Sequence, residues 1–166
     1  MHLLFALLSI FIAWRYGDWK NWIKYHSTML FFSLMELIYN VITSSYNYYL
    51  WKLVPDLYLS RVPTLALYVF IIFPASALVF LTYYPQGIKG QIIYITKWVV
   101  GFGIAEWLAS VTGRIIYPHN WNLFSSIVFD FVMFLGLGFH HKRPLLAYIL
   151  FILTTAFGIW AFHIPI

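Results

Sequence analysis

The sequence contains no cysteine and very little charge. Only 9% of its 166 residues are Asp, Glu, Lys or Arg, whereas soluble domains are about 25% charged. The lack of cysteine excludes disulfides, thiolate chemistry and Cys-ligated metals. Hydrophobic residues make up 63% of the chain, and a chain this short cannot hide that much apolar surface from water. The composition therefore excludes a soluble globular protein.

Common motifs of phosphate, zinc and hydrolase sites are also missing. The chain has no Gly-rich phosphate loop, no His-Glu-x-x-His helix and no Gly-x-Ser-x-Gly elbow. Its 10 Lys and Arg residues are scattered rather than gathered in a patch, so nucleic acid is not an expected partner. Adjacent histidines on one helix point apart, so we interpret residues 140–144, which contain His140 and His141, as a tight basic turn. We predict no metal site and no cofactor.

The chain does contain continuous apolar runs of about 20 residues, the length that a membrane-spanning helix needs. We predict an all-α fold, a polytopic transmembrane helix bundle formed by a single domain over residues 1–166. The six predicted spans cover about residues 1–14, 26–47, 62–84, 91–113, 121–139 and 145–162. The first run is short, while the other five are long enough to cross a membrane. Pro74 predicts a kink in the third span.

Loop charge predicts the orientation of this bundle, because cytoplasmic loops carry an excess of Lys and Arg. The loops after the first, third and fifth spans carry six such residues and the opposite loops carry three. The two sets are Arg15, Lys20, Lys24, Lys89, Lys142 and Arg143 against Lys52, Arg61 and Arg114. We predict a multi-pass protein of the cytoplasmic membrane with both termini outside. If residues 1–13 do not span, only the N-terminus changes side.

Three of the five acidic residues, Glu36, Glu106 and Asp130, fall inside predicted spans. Ionisable side chains at membrane depth are costly and normally face a bundle interior or a wet cavity. Asn40 lies one turn after Glu36 on the same helical stripe. We predict a polar ligand- or ion-binding cavity lined by these four residues, with Arg114 and His119 at its outer mouth. The alternative is that the carboxyls only cross-link helices by hydrogen bonds.

Small residues recur every four positions in the fourth span, at Gly101, Ala105, Ala109 and Gly113. Such a seam lets another helix approach closely. The partner helix belongs either to the same chain, which we expect, or to a second copy in a homo-oligomer. In both cases the seam predicts a close helix contact beside Glu106.

The order of several short segments resembles a family of small integral membrane proteins of spore-forming Bacillota, to which no activity is assigned. The segments are Gly17-Asp-Trp, Met35-Glu-Leu-Ile-Tyr-Asn40, Gln91-Ile-Ile-Tyr-Ile with Trp98, Glu106-Trp, Asn120-Trp-Asn with Met133-Phe, and His140-His-Lys-Arg-Pro-Leu145. The resemblance covers nearly the whole chain. It implies a protein of the cytoplasmic membrane or the spore membrane, and it implies no catalytic residues.

The intramembrane carboxyls favour small-molecule or ion binding and transport. Such transport can be linked to protons, because a buried carboxyl can take up a proton. The expected partners are membrane lipids and a small ligand or a proton. One alternative is a structural or assembly subunit of a membrane complex, such as one of the spore. Another is an intramembrane enzyme that acts on lipids, although the chain offers no activated nucleophile. Carboxyls in a groove open to lipid would favour the enzyme, and a sealed axial cavity would favour transport.

Overall fold

The computed structural model describes residues 1–44 and 46–165. Over these residues the protein is an all-α helix bundle, which confirms the predicted fold class. Six helical spans begin and end within three residues of the predicted ones, when the two helices between residues 61 and 82 are taken as one span. The helices are α1 (His2–Tyr16), α2 (Ile23–Ser44), α3 (Arg61–Leu67), α4 (Phe73–Thr82), α5 (Ile88–Val111), α6 (Leu123–Lys142) and α7 (Pro144–Ala161), with a short 3₁₀ turn at Trp19–Asn21.

Helices α3 and α4 are two halves of one span, Arg61–Thr82. A π-helical segment, Tyr68–Ile72, joins them immediately before Pro74. Proline has no N–H and its ring crowds the preceding turn, and a π-helical turn is one way for a helix to absorb that irregularity. The kink predicted from Pro74 therefore takes the form of a widened turn. With this span, five helical segments of the described chain are long and apolar enough to cross a membrane: α2, α3–α4, α5, α6 and α7.

Successive helices run in opposite directions, so that α1 lies parallel to the α3–α4 span. At one end His2 Nδ1 is 3.0 Å from the Tyr68 hydroxyl. At the other end the backbone N–H of Asp18 donates to Thr82 Oγ1 over 3.1 Å. The 15 residues of α1 rise only about 22 Å, less than the roughly 30 Å of a bilayer's hydrocarbon core. The first helix is thus packed into the bundle although it is shorter than each of the five spans.

The two ends of the bundle differ in their connections. At one end, which we call the ribbon end, β1 (Lys52–Leu53) pairs antiparallel with β2 (Ile115–Ile116). The C-terminal segment also reaches this end, because the Tyr48 hydroxyl donates to the carbonyl of Phe162 over 2.9 Å. The opposite end, which we call the basic end, carries the connections with Arg15, Lys20, Lys24, Lys89, Lys142 and Arg143. The start of the chain also lies at the ribbon end, because the Met1 ammonium donates to Asp56, three residues after β1.

The packed core lies between α4, α5 and α6. Phe134 of α6 is fully buried. Its ring centroid is 5.1 Å from that of Phe80, 5.6 Å from that of Trp98 and 5.0 Å from that of Phe102. Aromatic pairs at such separations add to the free energy gained by burying their area. This cluster fixes α6 against α5 and thereby sets the positions of the acidic residues on both helices.

The predicted basic turn at residues 140–144 is wrong in extent, because α6 continues through His140 and His141 to Lys142. The His140 ring stacks on Phe31 at 4.2 Å, and its Nδ1 lies 2.9 Å from Thr28 Oγ1. These contacts with α2 hold the last turn of α6 in the helix. Only Arg143 separates α6 from α7, so the two helices form a tight hairpin.

Candidate functional site

A cavity of about 960 Å³ lies among the helices, and α1, α2, α4, α5, α6 and α7 all contribute to its wall. Most of the wall is apolar and aromatic. Glu36, Glu106 and Asp130 line this cavity together. Lys97 is the one cationic side chain that the described residues place in the wall. The interior is therefore an apolar space with an excess of acidic groups.

Glu36 reaches the cavity from the middle of α2 and is 6% exposed. Its Oε1 accepts a hydrogen bond of 2.7 Å from Asn40 Nδ2, the pairing that a separation of four residues on one helix allows. Asn40 itself lies outside the wall of the large cavity. It lines a second cavity of about 20 Å³ together with Glu36, Tyr49 and Arg61. Glu36 thus separates the large cavity from a water-sized one near the ribbon end.

Glu106 is held by hydroxyl groups from outside its own helix. The Tyr117 hydroxyl donates to its Oε1 over 2.8 Å, and the Ser126 hydroxyl donates to the same oxygen. Trp121 Nε1 donates to Ser126 Oγ over 2.8 Å. Burial and the bond to Glu106 raise the pKa of Tyr117, so its hydroxyl remains a donor. Glu106 is therefore a partnered carboxyl that ties α5 to α6 and to the loop between them.

Asp130 differs from the other two carboxyls because it lacks a hydrogen-bond partner in the described part of the chain. It is 7% exposed, and its Oδ2 is buried without a hydrogen-bond partner among residues 1–44 and 46–165. Asp130 lies four residues after Ser126, on the same face of α6, and so one turn from the Glu106 network. Nearly all buried polar atoms in native structures are satisfied. An unsatisfied carboxyl in a cavity wall is thus the feature of this site that most needs an explanation.

Arg114 and His119, predicted at the outer mouth of the cavity, lie outside its wall in the described chain. Arg114 Nε is 3.3 Å from Asp56 Oδ1, and its Nη1 donates to the carbonyl of Pro55 over 3.0 Å. The His119 ring stacks on Tyr48 at 3.7 Å. Both side chains therefore bind the ribbon-end loops to each other. The prediction is corrected for these two residues because loop contacts occupy them.

Asp56 completes this loop network. Its Oδ2 accepts hydrogen bonds from the Met1 ammonium over 2.6 Å and from the backbone N–H of His2 over 2.9 Å. Partial burial tends to raise the pKa of Asp56, but these two donors and the nearby positive charge hold it below its usual range. The network fixes the start of α1 beside the β ribbon.

We infer a sideways opening of the cavity between α1 and α5 from exposed residues of its lining. Leu8 and Ile12 of α1 and Gly101 of α5 line the cavity and are also exposed at the bundle surface. No described atom lies within 4 Å of the position that a Cβ would take at Gly101. Gly113, at the other end of the predicted seam, lies beyond the last residue of α5 with a φ of +69°. Within this chain, close helix contact therefore does not extend along the whole seam, and part of the seam faces the opening.

A sideways opening is the feature that favours an enzyme acting on lipids, but the hydrogen bonds of the carboxyls do not fit one. Acid–base catalysis needs a donor and an acceptor within reach of the same reacting atom. Among the described residues, Glu36 bonds to Asn40 and Glu106 bonds to Tyr117 and Ser126. No carboxyl–carboxyl hydrogen bond occurs in this part of the chain. The geometry fits a binding cavity open to lipid better than a catalytic groove.

Sequence reasoning did not identify Tyr117 and Trp121 as parts of the site. Tyr117 is 11 positions from Glu106 along the chain and lies beyond the end of α5. No helical period relates these two residues, and only the loop between α5 and α6 brings them together. Trp121 lies at the start of the fifth predicted span, and its position in the sequence gives no indication of its bond to Ser126.

No protein-family model matches this chain, and no curated protein or solved structure matches it. The functional conclusion therefore depends on the geometry of the cavity.

Proposed function

We propose that this protein binds a small molecule in the helix-lined cavity and transports it across the cytoplasmic membrane of a bacterium, with intramembrane carboxyls as the polar part of the site. The observation that carries the proposal is the unpartnered Asp130 carboxyl in the wall of a cavity of about 960 Å³. Ligand cavities are typically about 300–1,000 Å³, mostly apolar and supplied with few polar groups. Size and lining both agree with that pattern.

The fold supports a transporter more than a scaffold. The cavity lies in the centre of the bundle, bordered by helices that run in alternate directions. A purely structural subunit gains nothing from a buried, unsatisfied carboxyl, because such a group costs free energy in the folded state. The resemblance to membrane proteins of spore-forming Bacillota supports the cytoplasmic or spore membrane as the location.

The binding part of the proposal is tested in phosphatidylcholine nanodiscs with 1-naphthalenemethanol, a neutral aromatic probe. Trp98 and Trp121 line the cavity, so a bound probe should change their fluorescence. We expect saturable binding that Gly101→Phe removes, because the new ring would occupy the open space beside Gly101. Gly87→Phe, in the turn before α5 where a Cβ also meets no described atom, is the matched control and should bind normally.

The transport part is tested in proteoliposomes that contain a pH-sensitive dye. Addition of a bound probe should cause proton flux, and Glu106→Gln should reduce it. If Glu36→Gln, Glu106→Gln and Asp130→Asn all leave binding and flux intact, the carboxyls have no role and the proposal is wrong. Unchanged probe binding in Gly101→Phe would show that the cavity is not the site.

A further inference from the structure

The ionisable side chains that line the cavity are mostly acidic. Three carboxyls line it, on α2, α5 and α6, against Lys97 as the cation that the described residues contribute. Lys97 is nine residues before Glu106 on α5, about 13 Å away along the helix axis. The carboxyl region is therefore acidic. Such a wall attracts positive charge and rejects an anionic ligand, because like charges at low dielectric repel strongly.

The unsatisfied atom in this region is an acceptor. Asp130 Oδ2 is buried and has no donor among the described residues, whereas Glu36 and Glu106 already accept hydrogen bonds. An ionised carboxylate only accepts hydrogen bonds, so a ligand that completes the site with Asp130 ionised donates one. A donor that also carries positive charge would satisfy the oxygen and neutralise the buried carboxylate in one contact, which is the stronger type of hydrogen bond.

The remainder of the wall decides between an inorganic and an organic cation. The described residues hold no group of three or more His, Asp or Glu side chains placed to bind a metal ion. The wall instead offers aromatic rings, among them Phe32, Tyr68, Trp98 and Trp121. Aromatic faces attract organic cations and pack against apolar groups. The chemistry of the wall thus fits an ammonium group attached to an apolar body.

The opening between α1 and α5 agrees with such a ligand. Its rim is made of Leu8, Ile12 and Gly101, which are exposed on the apolar surface of the bundle. A molecule with an apolar body partitions into the bilayer and can enter through this rim without crossing a polar loop. A small hydrophilic cation would have no such route.

We propose that the ligand of this cavity is a lipophilic organic ammonium ion whose N–H donates to the Asp130 carboxylate while its apolar body packs against the aromatic wall. This inference rests on the proposed binding function and specifies its ligand class.

The test compares three probes with one aromatic body and different head groups: 1-naphthylmethylamine, 1-naphthalenemethanol and 1-naphthaleneacetate. Binding is measured by tryptophan fluorescence in phosphatidylcholine nanodiscs, with empty nanodiscs subtracted. We expect the amine to bind roughly tenfold or more tightly than the alcohol, as a hydrogen bond with a charged partner allows, and the carboxylate not to saturate. Asp130→Asn should lower the affinity for the amine by a similar factor and leave that for the alcohol unchanged.

Equal affinities for amine and alcohol, with no effect of Asp130→Asn but loss of both in Gly101→Phe, would overturn the ammonium ligand and leave the binding cavity intact. Absence of binding by all three probes, or binding that survives Gly101→Phe, would defeat the binding function itself. If Gly101→Phe does not fold, Ser9→Phe blocks the same cavity from α1, where Ser9 lines the wall. Tighter binding of the carboxylate than of the amine would also overturn the inference.

Discussion

Ser33 supplies a hydrogen bond that Pro74 cannot. In the π-helical segment, the N–H of Phe73 donates to the carbonyl of Tyr68, five residues earlier. The same pattern would pair the carbonyl of Val69 with the N–H of Pro74, which proline lacks. The Ser33 hydroxyl of α2 donates to that Val69 carbonyl over 2.6 Å. Inside a membrane a freed carbonyl has no water to bond, so this one side chain makes the irregular turn tolerable.

Ser33→Ala should therefore destabilise the protein by about 1 kcal/mol, within the range measured for hydrogen bonds between membrane helices. The measurement is the free energy of unfolding in mixed detergent micelles. Ser44→Ala is the matched control, because Ser44 is exposed and its hydroxyl bonds only within α2, to Val41. If Ser44→Ala lowers the free energy of unfolding as much as Ser33→Ala does, the hydrogen bond from Ser33 to Val69 is not what stabilises the protein.

The acidic residues of the site were predictable from the sequence, and most of their partners were not. Charge inside an apolar run is visible in any sequence, which identified Glu36, Glu106 and Asp130. The Glu36–Asn40 bond was also accessible, because it lies within one helix at a known period. The partners of Glu106 come from a loop and from α6. Such contacts depend on how helices pack, and hydrophobic periodicity contains no information about them.

At the scale of helices, glycine marks close contact in one place and open space in another. Gly17 ends α1, where an added Cβ would lie 2.6 Å from the carbonyl oxygen of Ala13 and 2.8 Å from Leu78 Cδ2. Gly101, in the predicted seam of α5, faces the cavity instead. A four-residue repeat of small side chains fits a close crossing and a cavity wall equally well. The sequence therefore predicted the helix correctly, but it did not show that Gly101 has no neighbouring helix within this chain.

This contrast predicts opposite effects of one substitution. Gly17→Ala should destabilise the protein and loosen α1, because its methyl group meets backbone and Leu78 at distances too short for carbon. Gly101→Ala should be neutral or stabilise by about 0.5–1 kcal/mol, since alanine is the better helix residue and its methyl group enters open space. Thermal unfolding of both variants in the same detergent provides the measurement. A marked loss of stability in Gly101→Ala would show that another helix packs closely against Gly101.

At the scale of the whole molecule, the number of helices, their order and their alternating direction follow from the sequence. Six apolar runs with polar connections permit an alternating bundle, and the structure brings Met1 and Phe162 to the ribbon end, where Tyr48 contacts Phe162. The cavity could not be predicted in this way. It arises because α1 and α5 face each other across a space instead of packing along their lengths. An apolar helix face has the same sequence pattern whether it contacts another helix or lipid.

The side of the membrane on which each end lies is the last prediction, and it follows from charge. The basic end carries six Lys and Arg residues in its connections, which predicts that this end is cytoplasmic. Ser60 at the start of α3 and Gln86 after α4 are exposed and lie at opposite ends of one span. Because the sequence has no cysteine, Ser60→Cys and Gln86→Cys each provide a single thiol without background. A membrane-impermeant maleimide should label Ser60→Cys in intact cells, and Gln86→Cys only after permeabilisation. The reverse pattern would invert the orientation, and labelling of both from outside would mean that the α3–α4 span does not cross the membrane.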